Sequence, residues 1–101
     1  MKVEILTFAG CPNGAPARAL VADVVRELEV DAAVEVVDVA DPETAERTRF
    51  LGSPTIRVDG RDVEPGADER TDFVLSCRVY RTDAGGSGLP PREWVREALL
   101  R

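Results

Sequence analysis

The chain has 101 residues, enough for one domain with a single modest core. It carries 19 acidic and 13 basic residues, has no histidine, and has a net charge of −6. The acidic balance argues against nucleic acid or an anionic membrane surface as a partner. The lack of histidine excludes a Cys-His catalytic pair and the commonest metal ligand. We expect one domain over residues 1–101 that binds neither nucleic acid nor a membrane.

The N-terminus and the two cysteines favour a cytoplasmic location. The opening MKVEILTF carries Glu4 inside its apolar run and is too short for the core of a signal peptide. No stretch approaches the roughly 20 apolar residues of a membrane span. Two cysteines in a chain that is not exported are more often free or redox-active thiols than a structural disulfide.

The first predicted elements are a strand and a helix that meet near Cys11. Residues 3–8 (VEILTF) are almost continuously apolar, which is typical of a strand buried on both faces. From Ala15 onward, apolar residues recur at steps of three and four, which predicts an amphipathic helix. Pro16 is tolerated only in the first helical turn, so this helix must begin just behind Cys11.

A second strand and a short helix follow. The valine-rich residues 33–40 (AVEVVDVA) predict the strand. Asp41 is a suitable N-cap and Pro42 a suitable first helical residue, so a helix should begin there. We expect this helix to run to about Phe50 and to close at Gly52.

The third part of the pattern is a hairpin and a last helix. The sequence PTIRV, Asp59-Gly60 and RDVEP predicts strand, tight turn and strand over residues 54–65. Residues 90–101 (PPREWVREALLR) predict a helix opened by prolines, whose apolar stripe is Trp94, Val95, Ala98 and Leu99. The order βαβαββα makes the first two strands parallel and predicts an α/β fold with a mixed four-stranded sheet.

Residues 66–89, between the hairpin and the last helix, fit no simple element and are predicted to be an inserted segment. Residues 73–82 (FVLSCRVYRT) alternate like an extra strand, and the glycine-rich residues 83–88 (DAGGSG) should form a mobile loop. Long loops in small domains tend to be functional or disordered.

Cys11 is the first candidate for chemistry, because it lies at the predicted strand-to-helix junction. The amide donors and the positive end of the helix dipole favour a thiolate there, and the thiolate is the nucleophilic form of cysteine. Gly14 leaves room for a close approach to the backbone. The alternative is a buried, inert cysteine, which is common.

Pro54 directly precedes the third predicted strand, where a cis Ser53-Pro54 peptide bond is expected. Cys-Pro at the start of the first helix and Ser-Pro-Thr entering a ββα tail together resemble the thioredoxin superfamily. The resemblance covers residues 1–64 best and extends to residues 90–101. It implies that Cys11 is the nucleophile, that Ser53, Pro54 and Thr55 form the cis-proline loop beside it, and that the backbone before the proline pairs with substrate.

The motif CPNG departs from the Cys-x-x-Cys of that family, because Gly14 stands at the fourth position. A disulfide within the motif is excluded, and with it the usual thioredoxin cycle. More closely, the chain looks like small bacterial thioredoxin-like proteins with selenoprotein relatives, which are sometimes labelled alkylmercury-lyase-like. No mercury-lyase motif can be matched to this sequence.

The second cysteine, Cys77, has two interpretations. On a strand it shares the more apolar face and would be a small core residue; alternatively it resolves an intermediate formed on Cys11. Arg78 and Arg81 flank Tyr80 and would either hold an anionic thiol such as glutathione or mycothiol, or be solvated charges. Asp38 would tune a proton at Cys11 or be a partly buried, hydrogen-bonded carboxylate.

The sequence favours a thiol-disulfide oxidoreductase that works through one cysteine at a helix N-terminus and needs no cofactor or resident metal. Its substrate would be a protein or small-molecule thiol or disulfide. Two other hypotheses are a non-catalytic module that binds a soft metal such as Hg(II) or Cu(I), and a protein-interaction domain. The oligomeric state cannot be predicted. Predicted catalytic residues are Cys11 and Cys77, and predicted substrate-binding residues are Pro12, Asn13, Gly14, Ser53, Pro54, Thr55, Arg78 and Tyr80.

Overall fold

A mixed four-stranded sheet organises the structure, a computed structural model that describes residues 1–101. The strands are β1 (Lys2–Thr7), β2 (Ala33–Asp38), β3 (Thr55–Val58) and β4 (Arg61–Asp62), and they lie in the order β2-β1-β3-β4. β1 and β2 are parallel, whereas β3 is antiparallel to both β1 and β4. The predicted α/β class and the mixed four-stranded sheet are confirmed.

Three helices complete the main body: α1 (Gly14–Leu28), α2 (Pro42–Arg47) and α3 (Arg92–Leu100). None of them combines the length and the apolar character that crossing a membrane requires. The larger core cluster joins α1 and α3 to one face of the sheet, and the smaller cluster lies on α2's side. The larger contains Val3, Ile5, Val21, Val24, Ile56, Val95 and Leu99, and the smaller contains Leu6, Val39, Ala45 and Phe50.

α2 begins where the sequence predicts and ends earlier. The Asp41 carboxylate accepts a hydrogen bond from the Thr44 amide at 2.7 Å, which satisfies one amide of the first turn. The helix ends at Arg47 because Arg49 has a left-handed backbone, with φ of 57°. The predicted end at about Phe50 and closure at Gly52 are therefore wrong.

The inserted segment contains a 3₁₀ turn (Ala67–Glu69) and a two-stranded hairpin of β5 (Tyr80–Thr82) and β6 (Gly85–Ser87). Only the end of the predicted strand over residues 73–82 is a strand, because residues 74–78 make just a few backbone hydrogen bonds to residues 50–53. The glycine-rich residues 83–88 form the turn and second strand of the hairpin, and their mobility stays a prediction.

Candidate functional site

Cys11 lies in the turn between β1 and α1. Its amide donates to the Phe8 carbonyl and its carbonyl accepts from the Gly14 amide, each at 3.2 Å, which fixes the turn. The residue is partly buried, and its thiol is free. α1 has no acidic residue in its first turn and no side-chain cap from Asn13, so no carboxylate competes for the positive end of this helix.

The surroundings of Cys11 lower the pKa of its thiol. Burial raises this pKa, but hydrogen bonds to the sulfur from the Ser53 hydroxyl and the Asn13 amide outweigh burial. The Thr7 hydroxyl and the Gly14 amide act in the same direction with smaller effect. Neutral hydroxyl and amide donors therefore favour the thiolate, without any cationic side chain.

The two hydroxyl groups beside Cys11 are themselves a pair. The Oγ1 of Thr7 and the Oγ of Ser53 are 2.7 Å apart. Because one hydroxyl proton serves this bond, the other stays available for the sulfur. A Cβ on Gly14 would lie 3.2 Å from the Thr7 Oγ1, so glycine allows α1 to begin tightly against Thr7. Thr7 was not among the predicted site residues; its position at the end of β1, four residues before Cys11, was the available signal.

Residues 74–80, here called the strap, lie along the loop that carries Ser53. The Val74 amide donates to the Phe50 carbonyl at 2.9 Å, and the Ser53 amide donates to the Ser76 carbonyl at 2.8 Å. The Ser53 carbonyl accepts from the Arg78 amide at 3.0 Å. Both backbone polar groups of Ser53 are thus used within the chain. The peptide bond that follows Ser53 is cis, as predicted from the sequence.

Cys77 is an exposed free thiol directly opposite Ser53 in the strap. Backbones paired in this way lie about 5 Å apart, so Cys77 stands one strand spacing from the residue whose hydroxyl lowers the pKa of Cys11. The interpretation of Cys77 as a small core residue is wrong. The strap turns Arg78 and Tyr80 inward instead and leaves Cys77 and Val79 outside.

Arg78 is buried, so neither sequence interpretation of this residue is correct: it is not a solvated charge and is not presented to an anionic ligand. It is 3% exposed, and its guanidinium lies 4.3 Å from the centre of the Tyr80 ring. Nη1 donates to Asp62 at 2.8 Å, and Nη2 donates to Glu64 at 3.0 Å. A third bond, from Nη1, reaches the Thr55 hydroxyl at 3.0 Å. These contacts fasten the strap to β3 and to the segment that begins at β4.

Other predicted binding residues are also engaged inside the protein. The Tyr80 hydroxyl donates to the Pro54 carbonyl, and the Thr55 hydroxyl donates to the Gly52 carbonyl at 2.7 Å. Pro54, Thr55 and Tyr80 are fully buried, and burial raises the pKa of Tyr80. Gly52 has a φ of 114°, and a Cβ there would lie 2.9 Å from the Arg78 Cβ. These residues shape the loop and are not presented to a substrate.

The remaining predicted residues surround the Cys11 turn. Pro12 is exposed, and the side chain of Asn13 packs against the backbone of Gly88. Asp38 ends β2 opposite Thr7 and is exposed, so it is not the partly buried carboxylate that was considered. It lines a shallow cavity of about 380 Å³ together with Phe8, Ala9, Ala40 and Leu75. Arg81, which was considered with Arg78, is exposed on β5.

The arrangement provides one partly buried thiol with a lowered pKa and a second, exposed thiol on the adjacent strap. Such a thiol is suited to nucleophilic attack on sulfur or to ligation of a soft metal. No group of three or more Cys, Asp or Glu side chains converges into a metal cage. Compared with protein-family models, curated proteins and solved structures, the chain matches none of them.

Proposed function

We propose that this protein is a thiol-disulfide oxidoreductase that uses Cys11 as its nucleophile. The observation that carries the proposal is the donor set around the sulfur, which lowers the pKa of the thiol and so raises the thiolate fraction at neutral pH. A structural cysteine does not need hydroxyl and amide donors that lower the pKa of its thiol. The same donors hold the thiolate where an incoming sulfur atom can reach it from solvent.

We further propose a thioredoxin-like fold for the chain. Support comes from the strand order β2-β1-β3-β4, with β1 and β2 parallel and β3 and β4 antiparallel. It also comes from the position of the Ser53–Pro54 loop beside the cysteine at the start of α1. The CPNG motif makes this a monothiol version, in which no second cysteine follows Cys11 within α1.

The reaction begins when the Cys11 thiolate attacks one sulfur of a substrate disulfide, R–S–S–R′. A bond forms between the Cys11 sulfur and R–S, the S–S bond of the substrate breaks, and R′–S⁻ leaves with the electron pair. Cys77 as thiolate then attacks the Cys11 sulfur and releases R–S⁻, which leaves a Cys11–Cys77 disulfide. The substrate is reduced by two electrons, and two external thiols must return the protein to its dithiol form.

The role of Cys77 is supported by its place in the strap. It is exposed, and its backbone is paired with Ser53, whose hydroxyl lowers the pKa of the Cys11 thiol. A disulfide requires Cα atoms within about 7 Å, and the pairing keeps Cys77 one strand spacing from Ser53. The strap thus holds the second thiol on the loop that contains Ser53.

The first test measures the alkylation of each cysteine by iodoacetamide as a function of pH. We expect Cys11, measured in the Cys77→Ser variant, to react faster than Cys77 does in the Cys11→Ser variant. Its alkylation should also titrate with a pKa below that of an ordinary cysteine. In the Cys11→Ser variant Cys77 serves as the matched exposed thiol. If Cys11 reacts no faster in the folded protein than in urea, the proposal is wrong, and the protein-interaction domain becomes the better hypothesis.

The second test follows the products formed with one equivalent of 2-hydroxyethyl disulfide by mass spectrometry. The wild-type protein should lose two hydrogens, because the mixed disulfide is resolved internally. Cys77→Ser should stop at an adduct with one mercaptoethanol, and Cys11→Ser should react slowly. A wild-type protein that also stops at the adduct would assign resolution to an external thiol and remove Cys77 from the mechanism.

A second candidate function is the binding of a soft metal such as Cu(I) or Hg(II). The observation that favours it is the pairing of Cys77 with Ser53, because it puts the second thiol on the loop whose Ser53 hydroxyl acts on Cys11, and thiolates are the ligands that such ions prefer. Titration of the reduced protein with Cu(I) should then show one tight site that either Cys→Ser variant abolishes. Equal binding by the wild type and both variants would reject this function.

A further inference from the structure

We propose that the substrate of Cys11 is a low-molecular-weight disulfide with apolar, neutral or cationic substituents, and not an extended polypeptide. This inference rests on the proposed function, since it specifies which disulfides the Cys11 thiolate attacks. It follows from two features of the surface near Cys11: a sheet edge that the chain itself covers, and a cavity that stays open.

The covered edge is the backbone of Ser53. A polypeptide that is bound in extended form usually adds as a strand to an exposed edge and uses the free amide and carbonyl groups there. Here the amide of Ser53 donates to Ser76 and its carbonyl accepts from Arg78, so neither is free. The opposite edge of the sheet, along β2, is separated from this loop by β1.

The strap that covers this edge is firmly held. Arg78 is buried and bonded to Asp62 and Glu64, and the Tyr80 hydroxyl is bonded to the Pro54 carbonyl. A polypeptide would have to displace the strap before it could pair with the loop, and this would separate Asp62 and Glu64 from Arg78. Glu64 would keep Arg70, but Asp62 would lose its one ion-pair partner. Such a carboxylate is costly to leave unpaired in a mostly buried position.

The open feature is the cavity formed by Phe8, Ala9, Asp38, Ala40 and Leu75. Two of these residues, Phe8 and Ala9, lead directly into the Cys11 turn, and the Phe8 carbonyl accepts a hydrogen bond from the Cys11 amide. The cavity also lies beyond the carboxyl ends of the parallel strands β1 and β2, where ligands of open α/β sheets commonly bind. Its volume of about 380 Å³ admits a small substituent.

The lining of the cavity sets the chemistry of that substituent. Four of its five residues are apolar, and the one charged residue, Asp38, is an exposed carboxylate. With a net charge of −6 on the whole chain, this surface disfavours an anionic disulfide such as oxidised glutathione. Apolar groups gain from burial in the cavity, and a cationic group gains from Asp38.

The test compares reaction rates of the reduced protein with four disulfides. These are 2-hydroxyethyl disulfide (neutral), cystamine (cationic), oxidised glutathione (anionic) and a disulfide-linked dimer of an extended ten-residue peptide. Each rate is divided by that of the neutral thiol N-acetylcysteine amide with the same disulfide, which removes the intrinsic reactivity of the disulfide without adding a charge preference. We expect the two small non-anionic disulfides to give ratios at least tenfold above the other two. A peptide or glutathione ratio equal to theirs would overturn the inference.

A variant that fills the cavity gives the second arm. Ala40→Trp should lower the ratios of the two small disulfides by about tenfold and leave the iodoacetamide rate of Cys11 unchanged. Ala84→Trp, on the exposed hairpin turn away from the cavity lining, is the matched control and should change neither rate. An Ala40→Trp protein with unchanged disulfide ratios would contradict the role of the cavity. Slow alkylation of Cys11 in the parent protein would instead mean that the proposed function itself has failed.

Discussion

Removing the Ser53 hydroxyl is the most direct test of how the Cys11 thiol is activated. Ser53 is fully buried, and its Oγ lies 2.7 Å from the Thr7 Oγ1. Its hydrogen bond lowers the pKa of Cys11 more than the hydrogen bond from any other donor does. Ser53→Ala takes away this donor and leaves the backbone pairing of the loop with the strap in place. We expect the pKa of Cys11 to rise.

The size of the effect follows from the energy of one hydrogen bond to a charged group. Such bonds contribute about 1.5–3 kcal/mol, and we take about 1 kcal/mol because Cys11 is only partly buried and water replaces part of the loss. At 1.36 kcal/mol per factor of ten, the ratio of thiolate to thiol at a given pH falls about fivefold. A more basic thiolate is a better nucleophile, so the rate of attack on a disulfide should fall by only about two- to threefold.

The assay is the pH profile of Cys11 alkylation in a Cys77→Ser background, with thermal unfolding as the check on folding. Ser76→Ala removes an exposed hydroxyl from the strap and serves as the matched control. Thr7→Val should shift the profile in the same direction as Ser53→Ala but by less, because Ser53 can still donate to the sulfur. A Ser53→Ala profile that coincides with that of Ser76→Ala would refute activation by the hydroxyl pair.

Three further predictions concern the strap and the thiolate. Arg78→Ala should lower the free energy of unfolding by about 3–5 kcal/mol in urea titrations, since it leaves the mostly buried Asp62 carboxylate without a cation and Glu64 with Arg70 alone. Arg96→Ala, which breaks an exposed ion pair, should lower it by at most about 1 kcal/mol. Gly52→Ala should cost about 1–3 kcal/mol more than Gly60→Ala in the same titrations: both residues have positive φ, but only a Cβ at Gly52 would collide with Arg78, and equal costs would contradict this packing. Because folding lowers the pKa of Cys11, its thiolate stabilises the fold above the pKa of the unfolded thiol, and this contribution disappears as pH falls through the folded pKa. The difference in unfolding free energy between the wild type and Cys11→Ser should therefore increase with pH across that window, and a flat difference would contradict a lowered pKa.

The sequence predicted the parts of the site that depend on local rules. A strand, a turn and a proline in the first helical turn placed Cys11 at the start of α1, and Asp59-Gly60 placed the hairpin, whose two turn residues both have positive φ. Residues that are adjacent in the sequence are enough to specify these features. The positions of Cys11 and of the Ser53–Pro54 loop could be expected for that reason.

The strap could not be predicted, because its pattern inverts the usual rule that apolar residues face inward. Alternation assigned Cys77 and Val79 to the core, yet Arg78 and Tyr80 are the buried residues. A buried arginine is stable only with partners, and its main partner, Asp62, lies 16 residues away. Periodicity carries no information about such a distant pairing. The same holds for Thr7 and Ser53, which are 46 residues apart.

The donors around Cys11 also distinguish two ways of activating a thiol. A thiolate held by a neighbouring cation loses its stabilisation when salt screens the pair, whereas one held by hydroxyl and amide groups in direct contact does not. The donors here are neutral, and the chain as a whole is acidic. Added salt should therefore leave the pKa of Cys11 almost unchanged or lower it slightly, because screening weakens the repulsion between the thiolate and the negative surface. The alkylation profile of Cys77→Ser at low and high salt measures this directly. A pKa that rises markedly with salt would mean that a cation, and not the hydrogen bonds, activates the sulfur.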